Sequence, residues 1–114
     1  MRPTYHLAPA AVWEASPRDG PYRPPSLDDE GFVHCTDGAA EMVATANRHY
    51  REDPRAFVVV SLDLDRIGSP WRIEDAAGIY PHISGPIDRA AVIGVVPAPR
   101  DRRGAFLPFA DRPG

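Results

Sequence analysis

The chain has 114 residues, 43% hydrophobic and 25% charged, a balance that suits one globular domain with a modest core and argues against disorder. Its formal net charge of -3 gives nucleic acid no electrostatic footprint to bind. All 13 basic residues are arginine, so Schiff-base chemistry and lysine-dependent phosphate loops are excluded.

The single cysteine, Cys35, cannot close an internal disulfide, which fits a reducing compartment. The start MRPTYHLAP has no apolar stretch like that of a signal peptide, and no segment approaches the roughly 20 apolar residues of a membrane span. The expectation is a soluble, cytoplasmic protein without a membrane partner, a single domain over 1–114 whose residues 109–114 form a flexible tail.

In chain order, TYHL (4–7) reads as a short strand leading into a helix, PAAVWEA (9–15), with Pro9 at the first helical position and Val12 and Trp13 facing inward. SPRDGPYRPPS, with four prolines and a glycine, predicts irregular chain through residue 26, either a ligand lip or a connector. GFVHC reads as a strand. Asp37 is placed to cap the strongest helix, GAAEMVATANRHYR (38–51), whose buried stripe is Met42, Val43, Ala46 and Tyr50. AFVVVSLDL (56–64) is an unbroken apolar strand of the central type. WRIE suggests a further short strand, and AAGIYPHISGPI a strand interrupted at Pro81. AVIGVVP (91–97) reads as a second central strand and AFLPF as a closing edge strand. This order predicts an α+β fold with an antiparallel-rich sheet and two helices.

Side chains alternate faces along a strand. In GFVHCTD, Val33 and Cys35 therefore point to a core, while Phe32, His34 and Thr36 share the other face. An imidazole and a hydroxyl are costly to bury without partners, so that face predicts a cleft. Cys35 as a nucleophile would need the opposite face. His6, His34, His49 and His82 lack the paired spacing of a metal site, and no metal is expected. In IYPHISGP, Pro81 and Gly85 bracket His82, which is either aimed at a ligand or bonded within a turn.

The segments YHLAPAAVWEA, YRPPSLDDEGFVHCT, ANRHYR, VVVSLDLD, YPHISGPI, AAVIGVV and FLP, taken together in this order, carry a resemblance. Almost the whole chain resembles the small bacterial proteins grouped as domain of unknown function 952. Their pattern runs from a Tyr-His/Lys start and a Trp-Glu helix through Gly-Phe-Ile-His-Cys-Ser, Ala-Asn-x-Tyr-Arg and Pro-His-Ile/Leu-Tyr-Gly-Pro to a Phe-x-Leu-Pro end. Ser84 stands where the family usually has tyrosine, and Thr36-Asp37 replaces its Ser-Thr pair.

The resemblance implies a fold similar to the ADP-ribosyltransferase superfamily, a split, mostly antiparallel sheet around an NAD-sized cleft. It implies His34 and Thr36 on a ribose, His82 on phosphate or a second ribose, and Glu74 as the late carboxylate facing developing positive charge. Tyr22 or Tyr5 would stack on a base, and Arg48 and Arg51 would either reach phosphate or stay on a solvated face. The implied activity is binding of NAD or an ADP-ribose-like nucleotide, with transfer or hydrolysis of the ADP-ribose and an unidentified protein acceptor. The alternatives are an inactive nucleotide-binding or interaction module and an RNA 2'-phosphotransferase-like enzyme. A nuclease is weaker, given the acidic charge balance.

Overall fold

The computed structural model describes residues 1–110. Its elements are β1 (Pro3–Pro9), α1 (Ala10–Ala15), α2 (Pro25–Glu30), β2 (Val33–His34), α3 (Ala39–Tyr50), β3 (Phe57–Asp63), β4 (Trp71–Ile73), β5 (Pro81–Ile83) and β6 (Val92–Pro97), with short 3₁₀ turns at Leu64–Arg66 and Arg89–Ala91. The strands form two three-stranded sheets, β1-β3-β6 and β2-β5-β4, antiparallel in every pairing. The architecture is α+β, as the order of elements predicts.

The unbroken apolar run of β3 has a direct cause. Phe57 and Val59 face one cluster with Tyr5, Met42, Ala46 and Phe106. Val60 and Leu62 face another with Ala8, Val33, Cys35 and Ile83. Both faces of β3 are covered, so neither alternates with polar residues. Each such side chain contributes about 1.5–3 kcal/mol on burial. β1 pairs along its length with β3, from Pro3 opposite Asp63 to Pro9 opposite Phe57. β6 lies on the other side of β3 with a register shift at Ser61/Leu62, so the 91–97 strand is an edge and not a central strand.

The sheets meet just beyond β2, where Tyr5 and Thr36 exchange two backbone hydrogen bonds of 3.0 and 2.8 Å. This bridge carries the histidine strand from one sheet to the other. It also turns the chain into α3, whose start is set by Gly38 at φ 89 and ψ 133, a conformation that favours glycine. Asp37 is not the predicted cap. Its carboxylate instead accepts two bonds from the Arg2 guanidinium, at 3.0 and 2.6 Å. In the stripe of α3, Met42 and Ala46 are buried, whereas Tyr50 is 37% exposed.

Two further expectations are corrected, and a third lies largely outside the described residues. The proline-rich stretch is not irregular through residue 26, and the described residues form three α-helices where two were predicted, because Pro25 opens α2 at a position that has no intrahelical partner for its missing N–H. AFLPF makes only an isolated Arg100–Phe106 bridge. It closes on α3, with Asn47 accepting from the Phe106 amide at 2.7 Å and donating to its carbonyl at 3.1 Å. Of the tail predicted over 109–114, residues 111–114 lie outside the described residues, while Phe109 rests edge-on against Tyr5 at 5.3 Å.

Candidate functional site

Gly31, in the left-handed region at φ 85, ends α2 and redirects the chain into β2. Glu30, the last residue of α2, thereby comes beside His34, whose Nε2 donates to Glu30 Oε2 at 3.1 Å. Val33 and Cys35 are buried in the core and the His34 side chain is 49% exposed, as strand alternation predicts. The β2–β5 register sets His34 directly opposite His82. Their ring centroids lie 5.4 Å apart at an interplanar angle of 75°. Phe32 stacks on His82 at 4.3 Å and meets His34 edge-on at 4.7 Å, which steadies both imidazoles.

His34, Thr36 and His82 line one cavity of about 640 Å³, within the roughly 300–1,000 Å³ typical of small-molecule sites. The proline-rich loop forms part of its wall through Tyr22 and Pro24, which makes it more than a connector. Arg89 fixes this loop by donating to the Gly20 and Pro17 carbonyls, both at 2.9 Å, while lying 4.5 Å over the Trp13 ring.

Other predicted roles change. Glu74 does not line the cavity; it is 55% exposed and accepts from Arg72 Nε at 2.7 Å. The carboxylates that do line the cavity belong to Glu30 and Asp75. Burial pushes the Asp75 carboxyl up, but bonds from the Ile79 and Tyr80 amides more than reverse this and hold it below its usual value. Tyr22 is fully buried, its ring against Trp13 at 4.7 Å and His6 at 5.7 Å, so it has no face on which a base can stack. Tyr5 is buried and does not line the cavity.

Arg48 lines the cavity, whereas Arg51 does not. Arg48 Nη1 donates to the Tyr80 hydroxyl at 3.2 Å, and Thr45 does so at 3.5 Å. The Thr45 bond and then the Arg48 bond lower the Tyr80 pKa by favouring its oxyanion. Cys35 contributes to the core, and desolvation pushes its thiol pKa up, the wrong direction for a nucleophile. Among the described residues, no group of three His, Cys, Asp or Glu is placed to hold a metal ion. No helix among them is long and apolar enough to cross a membrane.

Sequence reasoning missed Glu30, Tyr80 and His6. Glu30 and His34 are four apart, but that spacing acquires meaning only once Gly31 is known to end a helix. Tyr80 precedes Pro81 and was legible only as loop. His6 Nδ1 lies 2.8 Å from the His34 carbonyl, which can only accept, so Nδ1 carries the proton. Desolvation lowers the His6 pKa to about 4, leaving a neutral ring.

The fold and site together define a small α+β protein of two antiparallel sheets, one of which presents paired imidazoles to a single cavity. The chain belongs to the family described as "Protein of unknown function (DUF952)", matched over residues 7–95. Two solved structures, protein CC0527 of Caulobacter crescentus and a double mutant of it, are similar to this chain. Each has a TM-score of 0.74 at 18% identity, covering 92% of this chain and 93% of the other, a likeness of fold. No curated protein matches the chain.

Proposed function

We propose that the protein binds NAD or an ADP-ribose-like nucleotide in this cavity, in the manner of the ADP-ribosyltransferase-like superfamily that its sequence resembles. The observation that carries the reading is the opposition of His34 and His82, with Thr36 nearby, on one 640 Å³ cavity. His34 and Thr36 supply hydrogen-bonding groups to a ribose, and His82 to the phosphate or second ribose. Arg48 and the Tyr80 hydroxyl add donors suited to a phosphate oxygen.

Turnover would begin with cleavage of the nicotinamide–ribose bond, which leaves positive charge on the ribose carbon and the bonding electrons on nicotinamide. A carboxylate beside that carbon stabilises the oxocarbenium-like state. Glu30 takes this role, because it lines the cavity and is held by His34. Water or an acceptor nucleophile then bonds to the carbon, and its proton passes to the Glu30–His34 pair.

The test is thermal denaturation with NAD and with ADP-ribose, beside an assay of nicotinamide release. Binding raises the melting temperature, and Glu30→Gln abolishes release while keeping the shift. Absence of any shift at millimolar nucleotide would remove the reading. A shift without release favours the alternative of an inactive nucleotide-binding module.

A further inference from the structure

Three buried side-chain polar atoms have no hydrogen-bond partner among the described residues: Thr4 Oγ1, His6 Nε2 and Tyr22 OH. Thr4 does not line the cavity, but His6 and Tyr22 both do, with ring centroids 5.7 Å apart. Two adjacent orphans in one cavity wall call for an explanation, since a buried polar group without a partner is destabilising.

Their chemistry is fixed by their surroundings. The His34 carbonyl pins the proton of His6 on Nδ1, so Nε2 presents a bare lone pair and can only accept. Burial keeps that ring neutral, and burial likewise raises the Tyr22 phenol to about 12 despite the opposing influence of Arg89, so its proton remains available to donate. An anion finds a donor at Tyr22 but repulsion at His6. A cation finds no negative charge at either. A neutral group with both a donor and an acceptor satisfies the two together.

We propose that His6 and Tyr22 form a neutral recognition subsite in the cavity wall, taking an uncharged ligand group that both donates and accepts a hydrogen bond, a sugar hydroxyl or a primary carboxamide. The inference rests on the nucleotide reading only for the identity of the larger molecule that carries this group. Both atoms are closed to bulk water, so engagement requires a small displacement of the Tyr22 ring. That ring is carried on the loop between α1 and α2, with its backbone bonded to Ile87 by two 2.9 Å bonds.

The test is imidazole ¹⁵N NMR of the full chain at about pH 7, titrated separately with nicotinamide, nicotinate, ribose and NAD. The His6 Nε2 resonance is expected at the position of an unprotonated ring nitrogen, to move with nicotinamide or ribose, and to stay still with nicotinate. Movement with nicotinamide alone assigns the carboxamide; movement with ribose alone assigns the hydroxyl. A His6 signal indifferent to all four probes, or moved equally by nicotinate, overturns the subsite. Tyr22→Phe keeps the ring and removes the hydroxyl. It is expected to melt no lower than wild type and to weaken the effective probe about tenfold. A lower melting temperature overturns the proposal by showing that the hydroxyl is paired within the protein, and so does unchanged affinity. NAD that binds without moving His6 removes the subsite and leaves the nucleotide reading intact. Nicotinamide or ribose that moves His6 where NAD does not bind reverses that outcome.

Discussion

At the scale of single residues, burial separates the histidines by job. His34 is about half exposed and bonded to Glu30, so its loss removes ligand contacts without opening the core. His34→Ala is therefore expected to leave the melting curve of the free protein within about 0.5 kcal/mol of wild type while reducing nucleotide affinity at least tenfold. Titration of the variant beside a denaturation curve checks both halves. His6 behaves oppositely, because the folded chain holds it neutral. Its folded pKa of about 4 lies below the value near 6.5 of an exposed histidine, so the unfolded chain binds the extra proton first. Stability from this residue is complete above about pH 6.5 and falls as the pH drops toward 4, by roughly 3 kcal/mol in all. The carboxylates Asp63 and Asp75 are held below their usual values, so their own losses come at lower pH and leave this window to His6. In denaturation curves from pH 7 to 4 the wild type should lose roughly 3 kcal/mol more stability than His6→Asn, which has no group titrating at this position. Parallel curves would contradict the assigned neutral ring.

At the scale of elements, the site depends on short β5 holding His82 opposite His34. Gly85, two residues past β5, is required by contact: a side-chain Cβ there would overlap the Ser69 side chain, whose hydroxyl donates to the Pro86 carbonyl at 2.9 Å. Gly85→Ala is expected to destabilise by about 1–3 kcal/mol, measurable by urea denaturation. Stability equal to wild type would show that Ser69 can move aside at no cost. What the sequence made legible follows the same division. The apolar run of β3 and the alternation of Val33 and His34 are local signals that correctly place the core. Beyond β2 the alternation fails to divide the faces: Thr36 is buried and Cys35 lines the cavity beside it. AFLPF and Pro25 misled because one outcome is decided by a neighbour distant in sequence and the other by an end effect. Glu74 misled because the resemblance gave it a role without fixing where the end of β4 lies relative to the cavity. Arg72 takes Glu74, Asn47 takes Phe106, and a proline that breaks a helix interior starts α2 without cost.

At the scale of the whole molecule, β3 supplies both apolar faces, and the Tyr5–Thr36 bridge ties the histidine strand to it. The cavity wall thus draws on β1, the loop between α1 and α2, β2, α3, the segment between β4 and β5, and β5 itself, which are brought together only by folding. A ligand held there binds the folded chain alone and should stabilise it by about 2.7 kcal/mol at a hundred times its dissociation constant. The most direct measurement is isothermal titration of NAD and ADP-ribose into the wild-type protein. Saturable, one-to-one binding that weakens at least tenfold on replacing His34 by alanine is the predicted result. No heat at millimolar ligand, or equal affinity in both proteins, would contradict a nucleotide site between the two imidazoles.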